Sequence, residues 1–216
     1  MHNTVKNLIY IEELIKSKAN HDELAKIIAV SKTFSIENIL PLIEHGHLDY
    51  GENKVQEALE KWTDIKNENH NIQLHLIGRL QTNKVKFALK IFDYIHSLDS
   101  EKLANKISDE QQKHKKKPKI FIQVNLGNEV QKSGIDKRNL NDFYKFCKTL
   151  NLDIIGTMCI PPNDGYTKKY FSEMSDLNKK LNFKELSMGM SEDYLEAIRY
   201  NATYIRVGSK IFGSRS

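Results

Sequence analysis

The sequence predicts an α/β protein: a single (β/α)8 TIM-type barrel with an additional N-terminal helix, in one domain covering residues 1–216. Short runs rich in isoleucine and valine alternate along the chain with longer segments of helical periodicity. Strands that are separated by helices pair in parallel, because a parallel crossover needs about a dozen residues. Eight strand-like runs in 216 residues favour the closed barrel over an open doubly wound sheet, which usually has fewer strands at this length.

The first predicted element is an amphipathic helix near Val5–Lys16, where apolar residues recur at spacings of three and four. Strands are predicted where a short β-branched or aromatic run ends at polar or turn-forming residues. In chain order they are Lys26–Ser31, His47–Tyr50, Ile72–His75, Tyr94–Ser97, Ile120–Asn125, Ile154–Thr157, Lys184–Ser187 and Tyr204–Val207. The segments between them have helical periodicity and are predicted as helices: Ile36–His45, Asn53–Ile65, Asn83–Ile91, Glu101–His114, Lys137–Leu150, Tyr166–Leu181 and Glu192–Tyr200.

The basic charge of the chain is weak support for nucleic-acid binding. The formal net charge is +5, but 28 of the 33 basic residues are lysine and only 5 are arginine. Arginine is the residue that reads guanine and stacks on bases. The one dense cluster, Lys113–Lys119, falls at a predicted helix end, where cations interact favourably with the helix dipole. Nucleic acid is therefore not expected as a partner.

The remaining composition predicts a cytoplasmic, reduced protein that does not bind membranes. No apolar run approaches the roughly 20 residues of a bilayer-spanning helix. The first 18 residues also lack the apolar core of a secretory signal. Cys147 and Cys159 form no disulfide framework, and His75 and His96 lack the spacing of a zinc site, so no metal is expected.

The loops after the seventh and eighth predicted strands indicate a phosphate site. Ser191 precedes a predicted helix, and Gly208 and Ser209 open a short helical turn. Barrels of this kind bind phosphate at these two loops, where unpaired N–H groups and a helix dipole meet the anion. Taken singly, Ser191 is an ordinary helix cap and Gly208 a tight turn. Their joint position favours phosphate.

Lys32 ends the first predicted strand, which pairs with the last strand when the barrel closes. This places Lys32 beside the predicted phosphate site and near Arg206. A partly desolvated lysine beside a cation can have a lowered pKa and form a Schiff base with a carbonyl compound. The alternatives are that Lys32 neutralises the phosphate as a point charge or extends into solvent.

At these residues the sequence resembles the pyridoxal phosphate homeostasis protein family, whose members are related to the N-terminal barrel of alanine racemase. The matching segments occur in the family's order and are Ala29–Lys32, Gly51–Glu57, His75–Lys84, Leu186–Ser191 and Arg206–Gly213. The resemblance implies that the cofactor is pyridoxal 5′-phosphate (PLP) and that Lys32 carries it as a Schiff base. It implies further cofactor-binding residues: Asn53 and Met188 near the ring, Arg206 at the pyridine nitrogen, and Ser191, Gly208 and Ser209 at the phosphate.

The sequence departs from the family pattern at three of these positions. Leu76 stands where the family often has phenylalanine, Thr157 where leucine is common, and Ser209 where threonine is usual. Serine keeps the hydroxyl group, so the resemblance still implies phosphate binding. Leu76 and Thr157 are expected to alter the wall of the pocket.

The resemblance implies a PLP-binding protein of intracellular PLP homeostasis, which buffers the cofactor or delivers it to PLP-dependent apo-enzymes. No dedicated turnover and no catalytic residue are expected, because a guanidinium at the pyridine nitrogen stays charged and cannot exchange a proton with the ring. Alanine racemases add a C-terminal domain whose tyrosine is the second acid–base group, whereas this sequence ends at Ser216. A monomer is expected for the same reason. A slow PLP-dependent amino acid racemase is the alternative, and an anion or nucleic-acid binding barrel is the second.

Overall fold

Eight parallel strands close into a barrel in the computed structural model, which describes residues 1–18, 24–127 and 133–213. The strands are β1 (Lys26–Val30), β2 (Asp49–Glu52), β3 (Gln73–Leu76), β4 (Tyr94–Leu98), β5 (Lys119–Asn125), β6 (Ile135–Asp136), β7 (Asp153–Met158), β8 (Glu185–Met190) and β9 (Tyr204–Val207). The barrel closes because β1 pairs with β9 and β4 pairs with β5, both in parallel. The two-residue strand β6 adds to β5 outside the barrel. The predicted barrel and its eight strands are confirmed.

Helices surround the barrel, and an N-terminal helix precedes β1, as predicted. In the described ranges they are α1 (Asn3–Lys18), α2 (Ile36–Glu44), α3 (Val55–Glu68), α4 (Val85–Ile91), α5 (Glu101–His114), α6 (Leu140–Thr149), α7 (Thr167–Lys180), α8 (Tyr194–Arg199) and α9 (Ser209–Phe212). Helix α1 buries Val5, Leu8, Ile11 and Ile15 and packs on α9, α2 and α8. The spacing of these four side chains along one face explains why the segment is helical.

Two of the helices that begin later than the sequence predicts, α4 and α6, are each preceded by a turn of 3-10 helix. Residues Thr82–Lys84 form such a turn before α4, and Lys137–Asn139 form one before α6. Turns of this kind are common at helix N-termini and have the same local sequence preferences as the helix that they precede. The apolar period alone therefore cannot locate the first α-helical residue.

The barrel separates two hydrophobic regions. The larger one fills the layer between the strands and the helices, and includes Trp62, Phe92 and Phe171. The smaller one lies inside the barrel and consists of Ile28, Tyr94, Phe121, Met158 and Tyr204, with Ile155 packed against it. The interior is thus largely aromatic.

The remaining sequence expectations concern the surface and the cysteines. Helix α5 ends at His114, and Lys115 takes a left-handed conformation with φ 51°, so the lysine cluster begins at a helix end, as predicted. Cys147 and Cys159 are both buried free thiols, and burial raises the pKa of each to about 12. Among the described residues no helix is long and apolar enough to cross a membrane. The same residues contain no group of three or more metal-ligating side chains.

Candidate functional site

A cavity of about 300 Å³ opens at the carboxyl end of the barrel. It brings together five of the seven predicted site residues, from strand β9 and from the loops after β1, β8 and β9: Lys32, Ser191, Arg206, Gly208 and Ser209. Val30, Phe34, Ile77 and Met190 supply apolar wall. This is the end of the barrel at which such folds place their ligands.

The loops after β8 and β9 meet through Ser191. The Gly208 N–H donates to Ser191 Oγ at 3.2 Å, and Ser191 is 9% exposed. Helix α8 begins only at Tyr194, so Ser191 joins two loops and does not cap a helix. This contact leaves the Ser191 hydroxyl proton facing away from the Gly208 N–H, available to an acceptor.

Helix α9 begins at the cavity, directly after Gly208. The N–H groups of Ser209 and Lys210 lie in its first turn, where no intrahelical carbonyl can accept them, and the ladder starts with Ile211 N–H to Gly208 O at 2.9 Å. A Cβ at Gly208 would lie 3.3 Å from Val30 Cβ, closer than nine in ten real contacts of this kind. Glycine is therefore what allows this loop to pack tightly on the end of β1.

Lys32 lies two residues beyond β1, in a turn, and lines the cavity with a partly buried side chain. Both of its neighbours are anchored. The Ser31 N–H donates to Gly51 O at 3.0 Å, and the Thr33 N–H donates to Glu57 Oε1 at 2.7 Å. Thr33 has a φ of 68°, in the left-handed region, which turns the chain immediately after Lys32. The turn is thereby held against β2 and α3.

Glu52, at the end of β2, is the centre of the contacts that hold this turn, although the sequence marked it only as part of a longer motif. Its side chain is fully buried, and Oε1 accepts from Ser31 Oγ at 2.8 Å, Lys61 Nζ at 3.0 Å and Trp62 Nε1 at 3.0 Å. Lys61 Nζ also donates to Ser31 O at 3.0 Å. We call Glu52, Lys61, Trp62 and Ser31 the Glu52 cluster. Its members lie after β1, in β2 and in α3, so no single sequence motif contains them all.

Arg206 lies on β9 and forms the floor of the cavity, with 4% exposure. Nη1 donates to Ser187 Oγ at 2.7 Å, and Nη2 donates to Cys159 O at 3.0 Å. Burial lowers the pKa of the guanidinium, and the thiol of Cys159 and the carboxylate of Asp193 oppose that shift. Ser187 Oγ and Cys159 O both accept hydrogen bonds, so the guanidinium plane is fixed at two nitrogen atoms.

Two predicted site residues lie away from the cavity lining. Met188 is completely buried in the layer between barrel and helices, and Met190, two residues later and 39% exposed, lines the cavity in its place. Asn53 is partly buried beside Gly78, and its Oδ1 atom is buried without a hydrogen-bond partner among the described residues.

The two unusual positions at the expected pocket wall also face elsewhere. Leu76 is buried in the outer hydrophobic layer. Thr157 Oγ1 donates to Asn178 Oδ1 at 2.6 Å, which directs it toward α7. Neither residue is among those that line the cavity of about 300 Å³.

A larger groove, of about 560 Å³, lies at the opposite end of the barrel between α7, α8 and the starts of β8 and β9. Its polar groups are mostly asparagine and serine side chains, with Lys179 and Lys184 as its cations. It contains none of the predicted site residues. Because cations, hydroxyl groups and the N–H groups of a helix start converge at the carboxyl end, we assign the site to the smaller cavity.

Comparisons with known proteins point to one family. A model described as the alanine racemase N-terminal domain matches residues 11–216. A pyridoxal phosphate homeostasis protein of Aquifex aeolicus is 35% identical over 215 residues, which cover 95% of this chain and 93% of the relative. Another, of Synechocystis sp., is 36% identical over 200 residues, covering 88% and 91%.

Solved structures agree with these sequence matches. PipY of Synechococcus elongatus, in a structure with PLP bound, superposes with a TM-score of 0.87 at 30% identity, covering 97% of this chain and 100% of that chain. An alanine racemase of Clostridium difficile 630 superposes with a TM-score of 0.76 at 15% identity, covering 99% of this chain and 57% of that chain. At that identity the likeness shows the shared fold.

Proposed function

Since this chain belongs to the pyridoxal phosphate homeostasis protein family, we propose that residues 1–216 form a single domain that binds PLP and acts in PLP homeostasis. Lys32 holds the cofactor as a Schiff base in this proposal. The relatives are named for homeostasis and not for a reaction, and PipY binds PLP in the same fold. The chain is accordingly a carrier or regulator without dedicated turnover.

The convergence of Lys32, Ser191, Ser209 and Arg206 on one cavity is the observation that carries the proposal. PLP has three groups that need partners: an anionic phosphate, an aldehyde and a pyridine nitrogen. The cavity volume of about 300 Å³ lies within the range of small-ligand sites. The lining residues therefore include a possible partner for each of these three groups.

Each group of the cofactor has a matching part of the cavity. The hydroxyl groups of Ser191 and Ser209 and the N–H groups at the start of α9 would hold the phosphate. Bound PLP would supply an aldehyde, and the amine of Lys32 would hold it as a Schiff base. Arg206 would donate a hydrogen bond to the pyridine nitrogen from the floor. Asn53, whose Oδ1 atom is buried without a partner among the described residues, stays a proposed residue near the ring.

Arg206 also supports a role in carrying the cofactor over one in catalysis. A guanidinium remains charged at physiological pH, so it keeps the pyridine nitrogen unprotonated. An unprotonated ring withdraws electrons less effectively from a bound amino acid. Buffering and delivery need only reversible attachment at Lys32.

The partners and location follow from the same proposal. A protein that buffers PLP would act in the cytoplasm and release the cofactor to PLP-dependent apo-enzymes. The two buried free thiols agree with a reducing compartment. We propose that the chain acts as a monomer.

The experiment is the visible absorption spectrum of the purified protein with added PLP, before and after borohydride, compared with Lys32→Ala. The expected result is a Schiff-base band that borohydride bleaches and fixes to the Lys32 peptide, as identified by mass spectrometry. Lys54→Ala, at an exposed lysine near the site, is the matched control and should keep the band. A band that persists in K32A, or a folded protein that takes up no PLP, overturns the proposal.

A second measurement separates carrier from enzyme. A carrier leaves the α-hydrogen of added amino acids in place. Exchange of that hydrogen in D₂O, with repeated turnover by the wild type but not by K32A, would instead establish a slow racemase.

A further inference from the structure

A continuous series of hydrogen bonds runs through the barrel interior from Arg206 to the opposite end. Beyond the Arg206 contact, Ser187 Oγ lies 2.9 Å from His96 Nδ1, and His96 Nε2 lies 3.0 Å from His75 Nδ1. His75 Nε2 then lies 2.9 Å from Asp49 Oδ1. We call these five side chains the Arg206–Asp49 chain. The first four are buried, and Asp49 is 21% exposed at the start of β2.

The chemistry of the two ends fixes the direction of every bond in this chain. Asp49 as a carboxylate only accepts, so His75 Nε2 must carry the proton. Neutral His75 then has a lone pair on Nδ1, which accepts from His96 Nε2–H. His96 in turn accepts at Nδ1 from the Ser187 hydroxyl, and Ser187 Oγ accepts from Arg206, which only donates.

Burial favours the neutral form of both histidines in the Arg206–Asp49 chain. Burial lowers the pKa of His75, against the opposing effect of Asp49, and lowers the pKa of His96 well below its usual value, with further contributions from His75 and Arg206. Burial opposes ionisation of Asp49, but the hydrogen bond from His75 and the positive charge of Lys26 outweigh it and lower the pKa of the carboxyl.

Aromatic rings hold the two imidazole planes. Tyr94 stacks on His75 with 4.2 Å between ring centroids, and Phe121 stacks on His96 at 4.3 Å. Neither imidazole can rotate without losing an aromatic contact and a hydrogen bond together. The two histidines are therefore fixed in position as well as in charge.

From this geometry we propose that Ser187, His96, His75 and Asp49 are positioning residues, which act on the cavity by fixing the guanidinium of Arg206. The Arg206–Asp49 chain directs the Ser187 hydroxyl proton toward His96. The Ser187 oxygen is then free to accept a hydrogen bond from Arg206. Arg206 is then held at Nη1 by Ser187 and at Nη2 by Cys159 O, with its remaining N–H groups left for the cavity. The effect on PLP rests on the proposed function, whereas the direction of the chain does not.

The first test is nitrogen-15 NMR of the protein without cofactor, after selective labelling of histidine. Both His75 and His96 should be neutral and protonated on Nε2, with the variants His75→Gln and His96→Gln used to assign the signals. In Asp49→Asn the carboxamide can donate to His75, and we expect at least one of the two histidines to change tautomer. Asp142→Asn, at an acid on an exposed part of α6, is the matched control and should change neither. Nδ1-protonated or doubly protonated imidazoles in the wild type would overturn the proposal.

The second test measures PLP retention in Ser187→Ala and Ser187→Thr. Loss of a hydrogen bond to a charged group predicts about 10- to 100-fold weaker retention in S187A, together with a shifted absorption maximum. S187T keeps the hydroxyl and should restore most of the retention and the wild-type maximum, which loss of folding stability alone would not reproduce.

The two tests have separate failures. If S187A retains PLP like the wild type with an unchanged spectrum, the positioning role is wrong while PLP binding stands. If no variant and no wild type binds PLP, the proposed function fails, and the tautomers in the cofactor-free protein still decide the direction of the chain.

Discussion

Replacing Glu52 by glutamine tests whether a charged carboxylate holds the Lys32 turn. The substitution keeps the shape of the side chain and an oxygen for Ser31 and Trp62, but removes the charge that faces Lys61, whose side chain is 11% exposed. It also puts an NH₂ group at the position of Oε2, which is buried with no partner among the described residues. Breaking a buried ion pair costs about 3–5 kcal/mol, and an unsatisfied buried donor about 1–3 kcal/mol.

Lys61 keeps two other partners, which reduces the expected cost. It still contacts Glu57 at 3.2 Å and Ser31 O at 3.0 Å. We therefore expect E52Q to lower the free energy of unfolding by about 2–4 kcal/mol. For a domain of this size, a loss of about 3 kcal/mol corresponds to a fall in Tm of about 6–12 °C.

Urea unfolding followed by tryptophan fluorescence and by circular dichroism is the assay. Trp62 is the one tryptophan of the chain, and its indole N–H donates to Glu52, so its emission reports the cluster directly. Glu57→Gln is the matched control, because Glu57 shares Lys61 but its side chain is 26% exposed, and it should cost about 1 kcal/mol or less. Equal stability of E52Q and the wild type, with unchanged emission, would refute the reasoning.

Three further outcomes are expected. Gly78→Ala should destabilise the protein by about 1–3 kcal/mol in urea unfolding, because its Cβ would lie 2.3 Å from Asn53 O; an unchanged midpoint would contradict the close approach. Phe34→Ala should shorten PLP retention about two- to tenfold, since the Phe34 ring stacks on Phe212 at 4.8 Å and joins the Lys32 turn to α9; a retention time equal to the wild type would contradict this role. Stability should fall as the pH drops below about 6.5, because burial lowers the pKa of His47, His75 and His96, so the unfolded state binds more protons. Each of these histidines contributes up to about 1.4 kcal/mol per pH unit, measured as the urea midpoint at several pH values, and a midpoint that rises on acidification would exclude this linkage.

The fold was predictable because its signal is periodic. Short β-branched runs separated by helical segments determine a parallel arrangement whatever the exact boundaries, and eight of them fill a barrel. Strand β6 carries no such signal, because two residues cannot show an alternation. The late starts of α4 and α6 were missed for a related reason, since a 3-10 turn and an α-helix share their first-turn residues.

Met190 lines the cavity, whereas Met188, which the resemblance implies as a cofactor-binding residue, is buried between the barrel and the helices. Ser187 points into the barrel, where its hydroxyl contacts His96 and Arg206, so strand alternation directs Met188 outward. The register of β8 against β9 then shifts between Ser187 and Met190, where Gly189 has a φ of 89°. Alternation alone would have excluded the Met188 side chain from the cavity, and only the irregular backbone explains how Met190 reaches it.

The groups that line the cavity and the groups that support them differ in how visible they are in a sequence. Lys32, Ser191 and Arg206 stand at strand ends within short motifs, so their meeting follows from the fold alone. His75, His96 and Ser187 lie on three different strands, and their contacts depend on the pairing register and on the inward direction of each side chain. The spacing of His75 and His96 in the sequence predicts only that they form no metal site. Nothing in a linear sequence distinguishes two unrelated histidines from two that are joined by a hydrogen bond. If the tautomers are as proposed, the orientation of Arg206, the most buried cation of the site, is set by the residues that are hardest to identify from the sequence.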